Sequence, residues 1–130
     1  ENAVDLPEEF RRVFRADAIY ADMMEITHDN GLTMPETPLQ TTVEYVNYIE
    51  SIKRDNRKLL AHVYVRHFGD LHGGQMIKKK VPGSGKYYDF EDRYELIKGM
   101  RELLDDSMAE EAQICFDFAF RSFEELSENV

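Results

Sequence analysis

The segment Leu60-Ala61-His62-Val63-Tyr64-Val65-Arg66-His67-Phe68-Gly69-Asp70-Leu71-His72-Gly73-Gly74-Gln75-Met76-Ile77-Lys78-Lys79 carries the clearest helical signal in the chain, and also its sharpest contradiction. Leu60, Val63, Tyr64, His67, Phe68 and Leu71 recur at three- and four-residue spacing, which marks the buried side of a helix. Asp55 or Asn56 can cap its start, and Val81-Pro82-Gly83-Ser84-Gly85 ends it, because proline and glycine do not propagate a helix. The pattern predicts a long helix over residues 57–80. Gly69, Gly73 and Gly74 lie inside it. Each costs about 0.5–1 kcal/mol relative to alanine in a helix interior. A local conflict of this kind marks either close backbone approach or function. Gly69 and Gly73 are four apart and share a face, which Gly74 widens. Close packing against another helix explains such a strip in most soluble proteins. The alternative is that the bare backbone admits something flat and bulky. Asp70, between the glycines, needs a partner or an ordered water on so apolar a helix, and Arg66 one turn earlier is the nearest.

The remaining segments also read as helices. Pro7 with Glu8 and Glu9 opens a helix predicted over residues 7–26, with Phe10, Val13 and Phe14 along one side. Thr37-Pro38-Leu39-Gln40 has the form of a capping box before a helix carrying Leu39, Val43, Val46 and Ile49, or alternatively Tyr45, at three- and four-residue spacing. A fourth helix is predicted over residues 90–104, with Phe90, Tyr94, Ile97, Arg101 and Leu104 on one face. Ser107-Met108-Ala109-Glu110 is a second capping box, opening a helix to about residue 126. No segment alternates as a strand, so the fold class is all-α, and residues 1–130 read as a single domain.

Charge is unevenly distributed. The 130 residues carry a net −10, yet residues 51–80 hold 8 basic and 2 acidic side chains. The acidic balance excludes a general nucleic-acid binder. No apolar run approaches the roughly 18 residues of a membrane span. The single cysteine, Cys115, excludes an internal disulfide framework and suits a reducing, cytoplasmic setting. Gly83-Ser84-Gly85-Lys86 lacks both the first glycine and the final Ser/Thr of a phosphate loop.

The segment from Leu60 to Lys79 closely resembles the distal-helix signature of haem oxygenases. Leu6-Pro7-Glu8-Glu9-Phe10-Arg11-Arg12 and Phe123-Glu124-Glu125-Leu126 are similar to flanking parts of the same family. The short connection over residues 81–90 is more like bacterial, cyanobacterial or phage members. The resemblance implies a haem-oxygenase-like helical bundle, of which this chain forms about the C-terminal two thirds. It implies a monooxygenase in which haem is both substrate and cofactor, cleaved with O2 and electrons from an external donor to biliverdin, CO and ferrous iron. The alternative is a non-catalytic haem-binding or helical interaction module of the same fold. By resemblance, Gly69, Gly73 and Gly74 let backbone approach the haem, and Asp70 organises the distal water network, with Arg66 coupled to it. Tyr64 and Lys98 match polar contacts near the propionates, and Phe116 and Phe123 match aromatic residues around the pocket. Core packing is the competing role for each phenylalanine, and an Asp70–Arg66 pair is the competing role for those two.

Two departures stand out. The family's proximal histidine belongs to an earlier helix that has no counterpart here, and a chain beginning at Glu1 reads as a fragment. His72 replaces the family's usual serine, as a possible distal-side residue. His62, His67 and His72 are spaced by five, about 140° apart on a helix, and so form no metal-binding face. Lys78, Lys79 and Lys80, with Arg57 and Lys58, are placed to receive an acidic electron donor such as ferredoxin, or a reductase.

Overall fold

The computed structural model describes residues 1–128. Among them are five α-helices and no strand: α1 (Ala16–Asp29), α2 (Gln40–Ile52), α3 (Asn56–Lys78), α4 (Arg93–Glu102) and α5 (Ala109–Glu128). Helix α3 is central and packs against α2, α4 and α5. Leu60 and Leu71 of α3 meet Leu96 and Met100 of α4 and Val13 in one buried cluster. As expected, α3 runs unbroken through its glycines, and the Asp55 carboxylate accepts from Lys58 N at 3.2 Å to cap it.

The first predicted helix is in fact two pieces. A 3-10 helix, Glu8–Val13, stops at Phe14, which is extended, and α1 begins at Ala16. The cause is Arg15, which is buried. Its guanidinium donates to the carbonyls of Arg12 (2.7 Å), Phe14 (2.9 Å), Tyr87 (3.1 Å) and Asp89 (2.8 Å). It also lies over the Phe90 ring at 3.9 Å. Carbonyls left without helical partners at the break are thus satisfied by one side chain. Phe90 serves this contact rather than a helix, and Asp92 turns through the left-handed region (φ 51°) before α4 starts.

Both capping boxes are replaced by other caps. At α2, the Glu125 carboxylate of α5 accepts from Gln40 N and Thr41 N, each at 2.8 Å. These bonds hold the Glu125 carboxyl below its ordinary range. Ahead of α5, Asp105 accepts from Ser107 N at 2.9 Å and pairs with Arg57. The inward face of α2 also differs from the predicted one. Thr41, Tyr45, Tyr48, Ile49 and Ile52 face inward, while Val43 and Val46 are exposed. On α4 the buried face is Leu96, Ile97, Gly99 and Met100, and Tyr94 points outward.

Arg15→Ala strands several half-buried carbonyls, each of which costs about 1–3 kcal/mol when unpaired. The expected loss of stability is about 3 kcal/mol, read from the urea midpoint at unchanged slope. Arg15→Lys is expected to recover little of it, because an ammonium lacks the planar fork that spans these acceptors.

Candidate functional site

Gly69 and Gly73 lie on an open side of α3. A Cβ built at either position meets nothing within 4 Å. Helix–helix packing therefore does not account for them among the described residues. Gly74 differs: it is buried, and its Cβ would stand 3.1 Å from the Tyr88 ring. Its lack of a side chain admits Tyr88, so it belongs to the packing and not to the open strip.

Asp70 borders the strip. Its Oδ2 accepts from the Tyr87 phenol at 2.6 Å, and it forms no ion pair with Arg66 among the described residues. Arg66 turns instead to α2, where its guanidinium lies over the Tyr45 ring at 4.5 Å. A cleft of about 460 Å³ opens between the N-terminal segment, α1, α2 and α3, its walls including Ile19, Ile49, Val63, Arg66, His67 and Tyr87; Asp70 and the glycines of the strip do not line it.

The other residues singled out from sequence are dispersed. Tyr64 lies about 140–180° around the helix from Gly69 and Gly73. Its ring packs on Phe68 with centroids 4.7 Å apart. Lys98 is exposed on the outer side of α4. Phe116 and Phe123 are exposed on α5, and with Phe120 they form an apolar ridge at i, i+4, i+7 spacing. Phe118 alone of the four turns inward, against Tyr45 and Tyr48. His72 is exposed, its ring edge-on to Phe68 at 4.5 Å, a quarter turn or less from the nearer glycine.

A buried polar network between α2, α3 and α5 has no counterpart in the sequence reading. His62 Nδ1 lies 2.7 Å from the Tyr45 hydroxyl, and His62 Nε2 lies 2.8 Å from Glu111 Oε1. Tyr48 donates to the same Glu111 oxygen at 2.5 Å, and Cys115 Sγ lies 3.5 Å from the Tyr45 hydroxyl. Burial pushes the Tyr48 phenol up to about 12 and lowers His62, with Glu111 opposing the latter. Burial also raises the Cys115 thiol. The signal in sequence was weak: a lone histidine on an apolar helix gives no indication of its partners. His67, one turn beyond Val63, is driven down to about 4 by burial, and its Nδ1 has no hydrogen-bond partner.

Comparison with known proteins decides the family. The sequence model of the family described as Heme oxygenase matches residues 7–125. The chain belongs to the haem oxygenase family. A haem oxygenase of Porphyra purpurea is 34% identical over 114 residues, covering 72% of this chain and 48% of that protein. One from Guillardia theta is 30% identical over 147 residues, covering 97% and 62%. One from Pyropia yezoensis is 36% identical over 111 residues, covering 69% and 47%. The chain thus spans about half the length of the curated relatives it matches. No solved structure matches it.

Since the strip is open, Gly69→Ala and Gly73→Ala should each stabilise the chain by about 0.5–1 kcal/mol, the ordinary helix-interior difference. Gly74→Ala should not, because the Tyr88 ring must first give way. Urea unfolding of the three variants separates the two kinds of glycine.

The neutral imidazole of His67 sets a pH dependence. The unfolded chain binds its proton near 6.5 and the folded chain only near 4. Stability is therefore complete above about pH 6.5 and falls as pH drops towards 4, by on the order of 3 kcal/mol from this group. Thermal melts across that window should show a shallower fall in His67→Phe.

Proposed function

We propose that this chain supplies the distal side of a haem-degrading site, converting haem to biliverdin, CO and ferrous iron with O2 and electrons from an external donor. The open glycine strip beside a held carboxylate carries the reading. The strip fits the group: a flat macrocycle needs bare backbone along one helix face, and Gly69 and Gly73 offer it without disturbing any packing. When bound, haem supplies the iron that activates dioxygen and the ring that is oxidised.

The protein's own groups do the rest. Gly69 and Gly73 would hold the group against bare backbone. Asp70, fixed by the Tyr87 hydroxyl, would hold water by its carboxylate. A positioned carboxylate can move a proton through that water to the ligand side. Arg66 lies one turn earlier and keeps a positive charge in the wall of the neighbouring cleft. The exposed ridge of Phe116, Phe120 and Phe123 is the kind of apolar surface that a bound group or a further element covers. Both His62 nitrogens are engaged within the fold, and His67 stands in the cleft wall with its Nδ1 buried and without a partner. Tyr64 and Lys98 then contribute at the propionate edge only if haem spans beyond the strip.

The basic segment supports docking of an acidic donor such as ferredoxin, or of a reductase. Lys78 pairs with Asp89 at 2.5 Å and Arg57 pairs with Asp105, while Lys58, Lys79 and Lys80 are exposed. Among the described residues no helix is long and apolar enough to cross a membrane. The unpaired, buried Cys115 thiol is in keeping with a cytoplasmic protein.

Haem, reductant and oxygen added to the chain should give decay of the haem Soret band with rising biliverdin absorbance. A stable haem spectrum would instead identify a haem-binding module without turnover, and no binding would sink both. Asp70→Asn should cut the biliverdin rate about 100-fold, the low end of what a positioned proton-handling group contributes.

A further inference from the structure

We propose that Tyr87 is a positioning residue for Asp70, its phenol fixing the carboxylate beside the open glycine strip. The inference rests on the haem oxygenase reading of that strip. The Tyr87 hydroxyl donates to Asp70 Oδ2 at 2.6 Å, the distance of a strong, charge-assisted O–H···O⁻ bond. The same oxygen lies 3.5 Å from the Arg66 carbonyl, so the phenol sits over the turn joining the two residues. Among the described residues, no other side chain hydrogen-bonds the Asp70 carboxylate. Oδ1 is left as the acceptor for a water.

Tyr87 is itself held on three sides. Its N–H donates to Asp22 Oδ2 at 2.8 Å, and its carbonyl accepts from Arg15 at 3.1 Å. Its ring stands edge-on to Tyr88, the residue that the bare backbone of Gly74 admits. The segment carrying Tyr87 is thereby tied to α1 through Arg15 and Asp22, and to α3 through Gly74 and Asp70. A hydroxyl carried on so fixed a backbone sets the carboxylate's rotation, which the side chain of Asp70 alone does not. Burial, followed by the hydrogen bond to Asp70 and then its charge, raises the Tyr87 phenol above its ordinary value. The phenol therefore stays protonated and remains the donor, and Asp70 the acceptor, throughout the neutral range. Phenylalanine would fill the same space and provide no donor. The distinction is one of chemistry and not of packing.

The test joins a resonance shift to turnover. In chain carrying tyrosine labelled with ¹³C at Cζ, the Tyr87 resonance at neutral pH (assigned by Tyr87→Phe) should move in Asp70→Asn, while the Tyr45 resonance does not. Tyr87→Phe should keep the helical circular dichroism and the haem affinity yet lose biliverdin rate about tenfold. A Tyr87 resonance indifferent to Asp70→Asn overturns the contact. Full turnover by Tyr87→Phe overturns the positioning role. A wild-type chain that neither binds nor degrades haem defeats the functional reading instead, and the tyrosine resonance still decides whether Tyr87 holds Asp70.

Discussion

The buried guanidinium of Arg15 is the interaction on which the arrangement depends. It gathers carbonyls from the end of the 3-10 helix and the break that follows it, and from the connection after α3. Burial lowers its pKa from the ordinary arginine value, but a guanidinium starts so high that it stays charged. A permanent cation with five fixed donors can satisfy acceptors from two chain segments at once. It therefore joins the start of α1 to the connection. The Tyr87 carbonyl that Arg15 holds belongs to the residue whose hydroxyl reaches Asp70. The fold and the site share a single mechanical link.

The His62 network has a different part. Tyr45, Tyr48, His62 and Glu111 satisfy one another in the tightest part of the helix bundle, where α2, α3 and α5 meet. Buried polar groups of this kind are costly when unpaired and specific when paired. They set the rotation of α2 so that Tyr45 and Tyr48, and not Val43 and Val46, face inward. That rotation presents the Tyr45 ring to Arg66, which then has its charge over an aromatic face and not against Asp70. The packing of α2 thus frees Asp70 for Tyr87.

The helices were legible in the sequence because their signals are local. The apolar period of α3, its Asp55 cap and the glycines beyond its end all lie within one segment, and each has its own local physics. The strip of Gly69 and Gly73 was legible as a conflict for the same reason. What was not legible depends on distant residues. The Glu125 cap of α2 acts across some eighty residues, and nothing near Thr37 reports it. The predicted capping box there was a good local solution overtaken by a charged one. Phasing failed on α2 because valine and tyrosine both count as apolar in a periodic pattern, but only tyrosine carries the hydroxyl that the buried network needs; on α4 Ile97 of the predicted face is buried, while Tyr94 is exposed. Arg15 drew no attention in the sequence because a helix of residues 7–26 leaves it nothing to cap.

The glycines show how a structure can separate two explanations that a sequence leaves joined. Gly69, Gly73 and Gly74 carry the same helix penalty and the same family resemblance. Only Gly74 has a neighbour that a methyl group would displace. Its cost is recovered within the fold, by admitting Tyr88 and with it the segment that brings Tyr87 to Asp70. The cost of Gly69 and Gly73 is recovered nowhere among the described residues. In the proposed reading that open backbone serves a bound group. The packing glycine then builds the support of the Asp70 carboxylate, and the two open glycines leave the backbone beside it bare.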